Sequence, residues 1–270
     1  MSGRVQAMRL RSNLSNRDMA ILTALRELRL LTGGQLRRLY FAEGDPVTQA
    51  RKARAAVRRL LDVGIILRLG RRIGGLRAGS DGQVIALTRL GYAVVALATG
   101  ETVRVRSIIN RKPAFQDHLL AVNELYVRLQ EAARTGAVEV LEFHAEPMAW
   151  RRFSGLGGQL VTLKPDAFVR LGVGEYEMSA FIEQDQDTES LPTIARKCEV
   201  YLAYYRTGQE EQRHGVFPLV WWLVPNSKRL NEIAGVIRRL SGEAHVLFRV
   251  ALSGEAVTRL SMLPSGGGTA

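Results

Sequence analysis

One cysteine, Cys198, among 270 residues leaves no internal disulfide framework and no Cys-rich zinc site. That usage fits a reducing cytoplasm. No stretch reaches the roughly 18 apolar residues of a membrane span, and the basic start has no apolar run of a secretory signal, so a soluble, membrane-free protein is expected. The glycine-rich runs are not followed by Lys-Ser or Lys-Thr, which excludes a nucleotide-binding loop. His118 has no second His or Cys at metal spacing and reads as a packing or capping residue. Cys198, on the inward side of a helix, reads as a small hydrophobe.

Charge is abundant and unevenly placed. Residues 1–115 hold 22 Lys and Arg against 7 Asp and Glu, a net of +15, whereas the remainder holds 16 against 19, a net of −3. A basic half attracts polyanions through counterion release, and a near-neutral half must act through particular groups. Two domains are expected: residues 1–113 with a linker, and residues 114–262. Residues 263–270, with Gly266-Gly267-Gly268, read as a disordered tail.

In the first half, Ser15 and Asp18 form a capping box ahead of a helix from Asn16 to about Leu30, with Ile21, Leu22, Leu25 and Leu28 as its buried stripe. Thr32 and Gln35 repeat the signal for a short second helix. A third helix spans about Thr48 to Asp62, with Ala50, Ala53, Val57, Leu60 and Leu61 inward. Arg51, Lys52, Arg54, Arg58 and Arg59 point outward. Strands over Ile65–Leu69 and Gln83–Leu87 then flank a basic tip carrying Arg71, Arg72 and Arg77. Three helices followed by a hairpin with a cationic loop is the winged-helix arrangement, in which the third helix enters the major groove and the wing grips flanking backbone. Double-stranded DNA is the expected partner. Thr88 caps a further helix whose Leu90, Val94, Val95 and Leu97 either cover the sheet or join two copies as a homodimer.

The second half reads as a helix over His118–Arg134 and strands at Val138–Phe143, at Leu160–Leu163 with Ala167–Leu171 (one strand interrupted or bent at Pro165) and at Tyr176–Glu183. A helix over Leu191–Tyr205, a strand over Phe217–Val224, a helix over Asn231–Leu240 and a strand over Ala244–Ala251 complete it. That order makes an α/β domain on a mixed sheet flanked by helices, and the whole chain α+β. Residues two apart in a strand share a face, so Glu183 and Asp185 lie on one side with Phe181. Asp166 on a paired neighbouring strand completes a ligand set for a hard cation such as Mg²⁺. The competing reading has these acids capping the next helix and pairing with Arg196 and Lys197. Tyr201, Tyr204 and Tyr205 recur at helical spacing, which explains them as packing. Trp221-Trp222 send at least one ring into the core.

With Pro165-Asp166 on the second strand and Glu183-x-Asp185 on the third, the second half resembles the restriction-endonuclease-like, PD-(D/E)xK superfamily. That resemblance implies Asp166 and Glu183 as catalytic acids and metal ligands for Mg²⁺. Asp185 stands where the family has the lysine that orients or activates water, and a third carboxylate cannot polarise water as a cation does. Arg196 or Lys197 on the following helix, or Lys164, is the candidate substitute, Lys197 foremost. The winged helix, His118 with Asn123, Pro165-Asp166, Phe181 through Ser190 and Tyr201-x-x-Tyr204-Tyr205 together resemble the replication-relaxation proteins of bacterial plasmids and integrative elements. The resemblance covers roughly residues 15–240. It implies a role in mobile-element replication, relaxation or transfer, with double-stranded DNA and other replication or conjugation proteins as partners; the nuclease-like resemblance adds the expectation of a metal-dependent endonuclease that nicks DNA. The alternative is a non-enzymatic repressor or relaxosome accessory protein carrying a degenerate nuclease fold.

Overall fold

A computed structural model describes residues 3–69, 82–100 and 112–262. The chain is a mixed α/β protein that divides into two compact units between Val127 and Arg128. Among the described residues, no helix is long and apolar enough to cross a membrane. Arg71, Arg72 and Arg77, expected at a wing tip, Arg104, Arg106 and Arg111, expected in a linker, and residues 263–270, expected as a tail, lie outside the described residues.

The first unit runs α1 (Gly3–Ser12), α2 (Asn16–Glu27), β1 (Leu30–Thr32), α3 (Gly33–Tyr40), α4 (Pro46–Asp62), β2 (Ile66–Arg68), β3 (Val84–Leu87), α5 (Arg89–Thr99) and the first part of α6 (Pro113–Arg134). Local chemistry sets the helix starts. Ser15 and Asp18 exchange the two bonds of a capping box, Thr32 and Gln35 do the same, and Asp45 accepts from the amides of Val47 and Thr48 with Pro46 at the first helical position. Gly64 ends α4 at φ +72°, letting the Ile65 amide return to the Leu60 carbonyl. A Cβ at Gly91 would meet the Ile65 carbonyl oxygen at 2.1 Å, so only glycine lets α5 begin against that strand. Ile21, Leu22 and Leu25 are fully buried as their spacing requires.

In the first unit, two elements escaped the sequence reading. Leu30–Thr32 leaves the helix and pairs antiparallel with β3, making a three-stranded sheet in the order β1-β3-β2. Helix α1 packs on α5, with Ala7 fully buried. The α2–β1 connection turns at Arg29, φ +70°, and the buried Asn123 side chain donates to the carbonyls on either side, Leu28 at 3.1 Å and Leu30 at 2.6 Å. Leu119 and Leu120 join Leu30, Val84 and Ala86 in one apolar cluster, and Gln35 donates to the Leu120 carbonyl. The start of α6 is therefore built into the first unit, which is why the division falls inside this helix and not at Pro113.

The second unit holds the rest of α6, then β4 (Glu139–Ala145), β5 (Arg151–Ser154), β6 (Leu160–Leu163), β7 (Ala167–Val173), β8 (Tyr176–Gln184), α7 (Leu191–Tyr205), α8 (Gln209–His214), β9 (Leu219–Val224), α9 (Ser227–Ile237), α10 (Gly242–Leu247), β10 (Phe248–Leu252) and α11 (Ala256–Leu260). Five strands form a mixed sheet in the order β10-β9-β8-β7-β4, antiparallel from β4 to β8 and parallel from β8 to β10. Alternate residues of β8 and β9, Phe181, Val220, Trp222 and Val224, join Ile194, Cys198 and Tyr201 of α7 and Ile233 and Ile237 of α9 in one core.

Two expectations are corrected here. Leu160–Leu163 is no early half of β7: it pairs with Arg151–Ser154 in a separate two-stranded hairpin, because Pro165 has no amide to continue a ladder. Residues 242–247 are helical, with Ala244 and Leu247 buried at helical spacing, and the last strand starts only at Phe248. Asn123→Ala would remove both side-chain bonds that brace this turn, leaving the Leu28 carbonyl only the Leu30 amide at 2.8 Å. The expected cost is about 2 kcal/mol, read as a lower urea midpoint; an unchanged midpoint would mean those bonds do not hold the turn.

Candidate functional site

The first candidate site lies on α4. Ala53, Ala56, Val57 and Leu60 face inward, and Arg51, Lys52, Arg54, Arg58 and Arg59 are exposed, as the 3.6-residue period dictates. Arg59 is engaged by the nearly buried Asp18 at 2.5 Å, which ties α4 to α2. Arg54 donates within its own helix to the Ala50 carbonyl. No acid pairs with Arg51, Lys52, Arg54 or Arg58 among the described residues, so this face carries uncompensated positive charge.

The second lies at the carboxyl end of β8. Asp166, just ahead of β7, donates its amide to the Ile182 carbonyl at 3.0 Å and accepts the Gln184 amide on Oδ2 at 2.7 Å. The strand pairing thus sets Asp166 beside Glu183. Glu183 is 1 % exposed, and its Oε1 accepts from Tyr201 Oη at 2.5 Å while Oε2 faces Lys197 Nζ at 2.5 Å. Lys197 and Tyr201 are four apart on α7 and reach the same carboxylate from one face of the helix. The ammonium also lies 5.5 Å from the Trp222 ring centroid. Ser190 caps α7 by accepting from the Thr193 amide, which fixes where Lys197 stands.

Burial raises the Glu183 carboxyl to about 7, against the pull of Lys197 and with a further upward push from Asp166. Burial alone would lower the Lys197 ammonium, but Glu183 and Asp166 outweigh it and hold it above its usual range. Tyr201, raised by burial and then by Glu183, remains a protonated donor. Burial pushes the Cys198 thiol up to about 12, consistent with a packing role.

Asp185 departs from this group. It lies past the end of β8, where Arg229 of α9 grips both its oxygens, Nε at 2.7 Å and Nη2 at 3.0 Å. Arg229 also reaches the Glu189 carbonyl at 2.6 Å, and Asp185 accepts the amide of Asp187, whose φ is +61°. Asp185 and Arg229 together shape the 185–190 loop. Arg196 turns outward to the Thr193 hydroxyl, and Lys164 stacks on Trp150 with its Nζ 5.1 Å from the ring centroid. Of the candidate cations, Lys197 alone meets a candidate acid. His118 and Asn123 lie on α6 in the first unit, and Asn123 has the structural role given above.

Tyr201 and Arg229 were missed as polar partners. The four-residue offset from Lys197 was the available signal for Tyr201. Nothing local ties Arg229 to an acid 44 positions earlier. Among the described residues, no three His, Cys, Asp or Glu side chains gather as a metal cage.

Removing one partner of a buried ion pair leaves an uncompensated charge, so Arg229→Met is expected to cost about 3–5 kcal/mol. Adding Asp185→Asn should restore part of it; equal urea midpoints for the single variant and wild type would dissolve the clasp. A carboxyl raised in the folded state adds stability below its unfolded value of 4.5 that is lost as pH rises through about 7. Glu183→Gln should therefore flatten the stability profile across that window, measured by urea titration at each pH.

No curated protein and no solved structure matches the chain. The family model described as replication-relaxation matches residues 22–220, which include α4, Asp166, Glu183 and Lys197. The chain thus belongs to the replication-relaxation family, which suggests a role in replication or relaxation.

Proposed function

We propose that the chain is a double-stranded DNA-binding protein of plasmid or mobile-element replication, relaxation or transfer, and that its second unit nicks DNA with Mg²⁺. The observation that carries the DNA reading is the row of exposed cations Arg51, Lys52, Arg54 and Arg58 on α4, none of them in an ion pair among the described residues. The order α2-β1-α3-α4-β2-β3, with its strands arranged β1-β3-β2, supports a winged helix in which α4 is the recognition helix. Arg71, Arg72 and Arg77 would extend that contact from the wing.

For the second unit, a mixed sheet with Asp166 before β7, Glu183 near the end of β8 and Lys197 on α7 supports a nuclease-like reading in which the lysine has moved from the strand to the helix. Asp166 and Glu183 fit a Mg²⁺ ion, which commonly takes one or two carboxylates and fills its shell with water and phosphate. Glu183 Oε2 has the Lys197 ammonium at 2.5 Å, so an ion bound there would share that oxygen with Lys197. Bound there, Mg²⁺ would lower the pKa of a water and offset charge on the phosphate. Lys197, charged and a quarter exposed, would orient water or a phosphate oxygen, and Tyr201 would hold Glu183 in place. Asp185 acts through Arg229 and shapes the loop beside the site.

The accessory reading, without catalysis, has its own support: Glu183 already has Tyr201 and Lys197 as partners, and among the described residues no third acid joins Asp166 and Glu183. Incubation of the full chain with supercoiled plasmid and Mg²⁺ or Mn²⁺ separates the two. Nicking lost in Asp166→Ala and Lys197→Ala supports the enzyme; no metal-dependent nicking, with duplex binding intact, supports the accessory protein. Arg51→Glu with Arg58→Glu should weaken duplex affinity and lower the salt slope by about 2 if each loses one phosphate contact. An unchanged slope would remove α4 from the interface.

A further inference from the structure

Between Glu146 and Asp166 the sequence holds Arg151, Arg152 and Lys164 and not one acid, in a half of the chain where acids outnumber cations 19 to 16. The β5–β6 hairpin occupies this stretch. Its inward face is anchored: Phe153 and Leu163 are buried in the main core, Phe153 lies 5.1 Å from the Tyr204 ring, and Arg151 bonds the buried Glu210 at 2.6 Å. Helix α7, which carries Lys197, packs against β6. The chain then passes through Lys164 and Pro165 directly into Asp166.

The outward face is different. Arg152 stands opposite Thr162 and Ser154 opposite Leu160; Arg152 is exposed and has no ion-pair partner among the described residues, and Leu160 is 71 % exposed. At the tip, the Gly155 amide donates to the Gln159 carbonyl at 2.8 Å and the Gly157 amide to the Gln159 side chain at 2.9 Å. Gly158 adopts φ +75°. This is a formed turn, and it holds Leu156 fully exposed. A large apolar side chain presented by an ordered turn, on a hairpin that carries Arg152 on its outward face and leads into Lys164, suits a nucleic-acid groove, where cations meet phosphate and an apolar residue wedges against base edges.

We infer that the β5–β6 hairpin is a second DNA-contacting element, in which Arg152 and Lys164 bind backbone phosphates and Leu156 enters the groove beside the Asp166–Glu183–Lys197 site. This rests on the DNA-binding reading above and gives the second unit its own grip on the substrate.

The test uses the full chain with Leu156→Cys, labelled with a maleimide-linked photo-crosslinker; Cys198 is buried and does not compete. Val246→Cys, at an exposed position on α10, serves as control. Crosslinks to duplex DNA are expected from position 156 and not from 246. Arg152→Glu with Lys164→Glu should abolish them and lower the salt slope of duplex affinity by about 2, with the circular dichroism spectrum unchanged. If Arg51→Glu with Arg58→Glu weakens binding while position 156 gives no crosslink and the hairpin reversal changes nothing, the hairpin proposal fails and DNA binding by α4 stands. A wild-type chain with no duplex affinity overturns both.

Discussion

Glu183 is enclosed in a core of aromatic and aliphatic side chains, and what it needs there constrains much of the second unit. A carboxylate with almost no access to water is costly unless it meets opposite charge and hydrogen bonds. Lys197 and Tyr201 meet it from successive turns of α7, so the helix has to begin and run where both reach the end of β8. Ser190 sets that beginning, and Arg229 holds the preceding loop through Asp185 and the Glu189 carbonyl. The two acids two apart on one chain segment thereby have different employment. One stays beside Asp166 near the strand end, and the other fastens a loop to α9.

The cations fall into two physical states. Lys197, Arg229 and Arg151 are drawn against buried acids, with contacts of 2.5 to 2.7 Å. Those on α4, apart from Arg59, are exposed and make no ion pair among the described residues. Charges of the first kind are committed to internal geometry, whereas charges of the second kind release counterions when a polyanion arrives. Membership of the replication-relaxation family suggests a role in replication or relaxation, and the DNA contact proposed above would draw on charges of the second kind.

Much of the helical scaffold could be read from the chain. Ser15 with Asp18, Thr32 with Gln35 and the apolar period of α4 act within one or two helical turns, and all appear as read. Short strands were harder. Leu30–Thr32 is too brief to alternate visibly and reads as the end of α2, since only pairing with β3 makes it a strand. Leu160–Leu163 read as part of β7 because both are apolar, and its true partner lies in a segment, Arg151–Ser154, with no strong strand signal. Residues 244–251 combine helix and strand patterns in one apolar run, which periodicity does not separate.

At the site, the sequence by itself determined the chemical types present: Asp166 after a proline, two acids spaced by two, and a helix bearing Arg196 and Lys197. It also determined the outward row of cations on α4, because a capped amphipathic helix leaves its polar face no other place. Only the tertiary structure decided that Lys197 and not Arg196 or Lys164 meets Glu183, and that Asp185 belongs to Arg229. The reason is range. Caps and helix faces arise from groups within a few residues of one another, whereas the choice of partner for a buried carboxylate depends on strand register and on helices returning from tens of residues away.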